Sequence, residues 1–338
     1  MFYHRSVKLT VGRSGIIWSL CLCLFLTGCM SPMAASASQS PVTVHHELGE
    51  TTLKSPPKRV VLTDPYLLEI TSAMGIQPIG VTKENEKQTG IPSYLKGRIQ
   101  LNFKWVGTKQ QPDLNAILKL KPDLIIADVS QKQWYPQFSS MAPTLVVRGS
   151  GADHWQKVAN LLGVVFQKSG QAQALMKRSQ QTANRVRTLA SQYQGMKVLP
   201  VEVIGPHRVR AYTKLSDLAV LLDNVGLSVS FSKQKQPYVD LDGGKLAGLP
   251  TDTLIVLRKP SDPSGQIKKD PVLRQLPAVK AGRVMEVTAE WALKRNGPLS
   301  DEKLMNELYG QLNKGLNWAN PNPAHHMQPA KPEPSKVE

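Results

Sequence analysis

A proline-free stretch from Ser169 to Tyr193 (SGQAQALMKRSQQTANRVRTLASQY) constrains the fold of this chain most. Its apolar positions are Ala172, Leu175, Met176, Ala183, Val186, Leu189, Ala190 and Tyr193. They recur with a period near 3.6, while Lys177, Arg178, Arg185 and Arg187 fall mostly off the stripe. The pattern predicts one helix, with Ser169 as its N-cap and Gly195 ending it. At the helical rise such a stretch spans roughly 37 Å, more than one small lobe needs. It is either a rigid spine carrying two domains or an ordinary long surface helix. Strand and helix patterns on both sides of it favour the spine.

The chain has 338 residues, enough for two domains. Before the long helix, strands are expected at 59–64 (RVVLTD), 78–82, 123–128 (DLIIAD) and 144–148 (TLVVR). Helices are expected at 66–74, from an Asp113 cap to Leu120, at 134–141 and at 152–165. This alternation predicts a parallel sheet with helices on both faces. Ligands of such sheets bind beyond the carboxyl ends of the strands, here Asp64–Tyr66, Lys83 and residues 129–134. After the long helix, strands are expected at 198–205, 208–213, 253–259 (TLIVLRK) and 283–287. Helices are expected at 215–225, from an Asp242 cap to Leu249, and at 299–316. The expected architecture is therefore α/β: two lobes, 45–168 and 194–318, joined by 169–193, with a ligand cleft between them.

The ends of the chain read differently. Arg5, Lys8 and Arg13 precede a short apolar core from Ile16 to Leu26, and then Leu26-Thr27-Gly28-Cys29. The pattern is that of a secretory signal over 1–28, and Leu-x-Gly-Cys resembles a bacterial lipobox, with Cys29 acylated by diacylglycerol. The other two cysteines, Cys21 and Cys23, lie in the removed segment, so the mature chain is expected to hold no disulfide. Residues 29–44 are small and polar and are expected to form a flexible tether, and residues 319–338 a disordered tail. The protein is expected on the outer side of a bacterial cell membrane, held by its lipid.

No Gly-x-Gly-x-x-Gly or Walker loop follows a strand, and no His-Glu-x-x-His or Gly-x-Ser-x-Gly occurs. No catalytic residue, metal ligand or cofactor is assigned. His45-His46 and His325-His326 are expected in flexible end segments. The formal charge is +17, from 42 Lys and Arg against 25 Asp and Glu. Such a balance suits an anionic partner, but no run of five basic residues occurs, which argues against nucleic acid. Cations and aromatic rings do accumulate at strand ends. The candidate ligand contacts are Tyr66, Lys109, Lys132 and Trp134 in the first lobe, with Arg208, Arg210, Tyr238, Arg258, Trp291 and Lys294 in the second. Arg binds carboxylates bidentately, and indole and phenol rings offer flat walls with a polar edge. A positively charged, ring-lined mouth is the expectation.

Four segments carry a family resemblance. They are Lys58-Arg-Val-Val61 with Met74-Gly-Ile-Gln-Pro-Ile-Gly-Val81; Val106-Gly-Thr-Lys-Gln-Gln-Pro-Asp-Leu114; Leu120-Lys-Pro-Asp-Leu-Ile-Ile-Ala-Asp128 with Met141-Ala-Pro-Thr144; and Ala278-Val-Lys-Ala-Gly-Arg-Val284 with Trp291 and Gly297-Pro298. The chain resembles the periplasmic binding proteins that serve ABC importers of iron–siderophore complexes and cobalamin. The ferric-citrate and ferric-hydroxamate binders are the most similar in flavour. The resemblance implies two Rossmann-like lobes on one stiff helix, little hinge closure, and a monomer that passes a ferric chelate to a permease. Lys109 falls where such binders often carry Arg, and Trp291 matches an aromatic wall. The resemblance also implies docking on the permease through one acidic residue per lobe. Asp223 matches in the second lobe. In the first, Asn115 stands where Glu is usual, with Asp113 two residues earlier. Cobalamin or haem capture, an extracytoplasmic enzyme, and a basic polymer-binding surface protein are the alternative readings.

Overall fold

The computed structural model describes residues 40–100, 102–149, 154–231, 235–259, 266–293 and 297–316. The signal segment with Cys29, most of the expected tether, Lys294, and the tail with His325-His326 lie outside them.

An antiparallel hairpin, β1 (Val42–His46) and β2 (Gly49–Leu53), comes first. Val42 already stands in a strand, so the tether expected over 29–44 ends short of its predicted limit. His45 and His46 are not in a loose segment either: His46 Nε2 lies 3.0 Å from Thr51 Oγ1, and His45 Nδ1 lies 3.7 Å from Glu50.

The first large sheet contains β3 (Val60–Leu62), β4 (Gly80–Lys83), β5 (Lys104–Thr108), β6 (Leu124–Asp128) and β7 (Thr144–Val147), in the order β5-β4-β3-β6-β7. Every pairing is parallel, as the alternation predicts. The connecting helices are α1 (Leu67–Ala73), α2 (Leu114–Lys119), α3 (Tyr135–Met141) and α4 (His154–Val165). Successive strand residues point to opposite faces. Val60, Leu62, Leu124 and Ile126 join the core beneath α1 and α4, while Val61, Ile125 and Ala127 pack with Ile117 and Phe138 of α2 and α3. Burial on both faces is why these strands read as unbroken apolar runs.

Then comes α5 (Ser169–Ala190), prolonged by a 3₁₀ turn to Tyr193. It carries the chain from the first sheet to the second. Ala172 and Leu175 pack in the first core; Val186 and Ala190 pack in the second. Its N-cap is Lys168, without a side-chain capping bond, and Ser169 is its first helical residue. The serine thus sits one residue past the expected cap, where α4 and α5 approach closely: a Cβ on Gly163 would lie 3.1 Å from Ser169 Cα. Gln167, with φ of 54°, makes the turn.

The second sheet contains β8 (Lys197–Gly205), β9 (Arg208–Tyr212), β10 (Ser228–Val229), β11 (Tyr238–Asp242), β12 (Thr253–Arg258) and β13 (Val284–Thr288). Its order is β11-β9-β8-β12-β13, with β10 beside the start of β8. It is mixed: β9 runs antiparallel to both β8 and β11. The helices are α6 (Asp217–Asn224), α7 (Gly243–Ala247), α8 (Gln266–Lys269), α9 (Pro277–Lys280), α10 (Ala289–Leu293) and α11 (Pro298–Asn313). Asp242 caps α7, accepting from Lys245 N at 2.8 Å.

The last helix is more than a second-lobe element. Leu304, Met305, Leu308 and Leu312 of α11 pack in the second core, but Leu299 at its start packs in the first. Glu69 of α1 reaches that start. Its Oε1 accepts from Leu299 N and Ser300 N at 2.7 Å and Ser300 Oγ at 3.0 Å, and its Oε2 accepts from Tyr94 Oη at 2.7 Å. A carboxylate suits the free amides and positive pole of a helix N-terminus. Burial nevertheless pushes its carboxyl up to about 7, against those donors.

Candidate functional site

All five strands of the parallel sheet end on one side, and a cleft of about 1160 Å³ opens there. Such a sheet binds ligands at the point where strand order reverses, here between β3 and β6. Asp64 to Tyr66 beyond β3, with Asp128 at the end of β6 and Ser130 just past it, form its floor. The opposite wall comes from the second lobe: Tyr212 at the end of β9, Leu215–Leu218 at the start of α6, Pro237, and Glu290, Ala292 and Leu293 of α10.

The floor is a set of buried polar groups. Lys109 is presented by a tight loop. Gly107 has φ of 85°, Thr108 N donates to Gln111 O at 3.0 Å, and a Cβ on Gly107 would lie 2.5 Å from Asp113 N. Only glycine fits there, which gives Val106-Gly-Thr-Lys its physical meaning. Lys109 Nζ lies 2.6 Å from Asp64 Oδ2, whose side chain is 1% exposed. Burial pushes the Asp64 carboxyl up, and Lys109 pulls it back. Gln131 braces the floor from below, donating to Thr63 O and Lys109 O at 2.8 Å each.

Asp128 accepts from Ser130 N at 2.9 Å and Gly149 N at 2.6 Å. A Cβ on Gly149 would sit 2.6 Å from Asp128 Oδ2 and 3.1 Å from the Tyr66 ring, so residue 149 must be bare. Between these carboxylates stands Tyr66, 7% exposed, its hydroxyl without a partner among the described residues. Burial, and then Asp64, Asp128 and Glu69, hold its phenol far above the ordinary range, so it stays a donor. His154 Nδ1, also buried, likewise has no partner among the described residues. An unpaired buried polar group is costly; two on one cleft point to a ligand that completes them.

Of the ten expected ligand contacts, Tyr66 and Lys109 line this cleft. Arg210 instead pairs with Asp240 at 2.8 Å, directly across the β9–β11 ladder, and lies over Tyr238, 4.3 Å from its ring centroid. Arg258 faces Glu286 at 3.5 Å. Trp134 packs against the core beneath α2 and α3, and Trp291 donates to Glu307 at 3.1 Å between the two cores. Lys132 and Arg208 are exposed and outside the lining. The tryptophan that does line the cleft is Trp155 of α4, which periodicity alone could not separate from a core position.

The expected positive mouth is corrected as well. Among the described lining residues are six carboxylates, Asp64, Glu84, Asp128, Asp217, Glu290 and Asp301, against the lysines 87, 96 and 109. Several are tied inward: Glu290 accepts from Ser93 N at 2.8 Å and Ser93 Oγ at 2.6 Å, bridging the two lobes. The excess positive charge of the chain is therefore not concentrated on the described lining. Among the described residues no cluster of three His, Cys, Asp or Glu could hold a metal ion.

A sequence model of the periplasmic binding protein family matches residues 60–290. The chain belongs to the periplasmic binding protein family. Its relatives include the Fe(3+)-citrate-binding protein YfmC of Bacillus subtilis (strain 168), 24% identical over 292 residues, 84% of this chain and 91% of that protein. The putative ABC transporter substrate-binding lipoprotein YhfQ of the same organism is 34% identical over 142 residues, 41% of this chain and 44% of its own. Among solved structures, the siderophore-binding protein BauB, bound to two acinetobactin molecules and ferric iron, superposes with a TM-score of 0.67 at 21% identity. That match covers 80% of this chain and 98% of BauB, and it shows a common fold.

Proposed function

We propose that this protein is a non-enzymatic receptor that holds a ferric siderophore in the interlobe cleft and delivers it to an ABC importer. The observation that carries the reading is the floor: a buried, protonated phenol with no partner among the described residues, at the switch point of a parallel sheet. A volume of about 1160 Å³ suits a bulky chelate rather than a bare ion. The ligands of the relatives, ferric citrate and an acinetobactin–iron complex, belong to this class. The chelate is taken to fill the iron's coordination shell.

Attachment through a lipid on Cys29 fits this role, since the receptor must stay beside its permease. Docking is assigned to Asp113 and Asp223. Both are exposed outside the cleft lining, and each holds a local backbone amide: Asp113 takes Ala116 N at 2.9 Å and Asp223 takes Val229 N at 3.1 Å.

Saturable quenching of tryptophan fluorescence by ferric siderophores tests the capture step, with Trp155 as the cleft reporter. The double variant Asp113→Asn/Asp223→Asn should lower uptake by cells severalfold and leave chelate affinity unchanged. Undiminished uptake would remove the docking assignment.

A further inference from the structure

Charge on the floor narrows the class of chelate. Among the described lining residues, Lys109 is the lysine at the switch point, and Asp64 at 2.6 Å already balances it. Asp128 adds a second carboxylate, 5% exposed, whose hydrogen bonds come from backbone amides rather than a cation. The group Asp64, Lys109 and Asp128 therefore sums to one negative charge. A polyanion brought against it would lose hydration and meet net repulsion where screening is weak.

Hydrogen-bond donors are available all the same. An ammonium group has three N–H bonds, and Asp64 occupies one side of it. The Tyr66 hydroxyl has no hydrogen-bond partner among the described residues. Donors without net positive charge suit neutral carbonyl-type oxygens.

Resting on the function proposed above, we infer that the cleft selects ferric chelates of zero or positive net charge with hydroxamate-type oxygens, and disfavours polyanionic carboxylate and catecholate complexes. Three hydroxamates balance ferric iron, so the complex is neutral, and a pendant amine makes it cationic. Its oxygens accept from Tyr66 and Lys109, while Asp128 faces any cationic arm. Asp64 acts as a specificity residue: it cancels the charge of Lys109 without removing its remaining donors.

The experiment is a binding panel on the mature chain, read by tryptophan quenching. It uses ferrioxamine B (a cationic trihydroxamate), ferrichrome (a neutral one), ferric citrate and ferric enterobactin (a triply anionic catecholate). The two hydroxamates should bind at least about tenfold more tightly than either anion, a difference of about 1.4 kcal/mol. Tighter binding of ferric citrate or ferric enterobactin overturns the charge selection and leaves the receptor reading standing. Binding of none of the four overturns both. Asp64→Asn, which frees the ammonium of Lys109, should raise affinity for ferric citrate about tenfold relative to ferrioxamine B. An unchanged ratio in a variant that melts normally overturns the role of Asp64. Should that variant fail to fold, Asp128→Asn is the substitute and is expected to move the ratio the same way.

Discussion

The two lobes are built on different terms. The first lobe turns the ends of a fully parallel sheet into a buried polar floor, with Asp64, Tyr66 and Asp128 all under a tenth exposed. The second lobe carries its charges as ion pairs between neighbouring strands. Arg210 and Asp240 are each about a third exposed, and Lys259, paired with Glu202 at 2.8 Å, is 53% exposed. A parallel sheet gathers its strand ends at one edge, so polar groups converge there. A sheet with an antiparallel hairpin alternates its strand ends, and opposite charges meet across the ladder instead. The first arrangement organises a site; the second satisfies a surface.

The largest effect that would sharpen this contrast is expected from a group buried in the first lobe but not lining the cleft. Glu69→Ala leaves Tyr94, Leu299 and Ser300 without their acceptor and should cost roughly 2–4 kcal/mol, read as a lower melting temperature. The same residue makes stability depend on pH. Its folded-state pKa is raised from 4.5 to about 7, so its contribution is full below the lower value and is lost as pH rises through the upper one. Melting curves between about pH 5 and about pH 8 should show a fall that is reduced in Glu69→Gln.

Next comes Gly149→Ala. The added methyl meets Asp128 and the Tyr66 ring, and overpacking of this kind costs about 1–3 kcal/mol. Chelate affinity should fall on the order of tenfold. Tyr66→Phe is expected to be smaller: affinity should drop about five- to tenfold, the value of one hydrogen bond, with melting unchanged or slightly raised because an unpartnered hydroxyl is removed. A loss of stability instead would mean that the hydroxyl serves the fold. Arg210→Ala should change affinity less than about threefold, as expected of a surface pair. A tenfold loss there would break the contrast between the lobes.

How much of this was legible beforehand depended on distance along the chain. The alternating runs gave the first sheet because doubly buried strands are apolar without interruption, and Asp242 was readable as a cap because its partner lies three residues on. The hairpin β1–β2 escaped, since Val42–His46 and Gly49–Leu53 mix polar and apolar residues in short strands. Strand β5 escaped for a similar reason: Lys104, Gly107 and Thr108 dilute its apolar content. Site residues at strand ends were visible where topology alone decides, as at Tyr66; Lys109, after the unrecognised β5, stood out through the Val106-Gly-Thr-Lys segment instead. They were not visible where a partner decides. Arg258 finds Glu286 and Lys259 finds Glu202 from other strands, and a count of cations cannot anticipate that cancellation. Trp134 and Trp291 were placed on the cleft by chain position, but their rings turn into the cores.

Glu69 and α11 have a consequence for how cargo passes. A strut rooted in one half and pinned to the other fixes the gape of the jaws. Swinging them apart would leave the Glu69 carboxyl in a greasy interior and take from Leu299 N and Ser300 N the oxygen to which both donate. Traffic is therefore expected over the lip, at the loop bearing Glu84, Lys87 and Gln88, rather than by a clamshell stroke. A permease that empties this receptor has to pry at the joint itself.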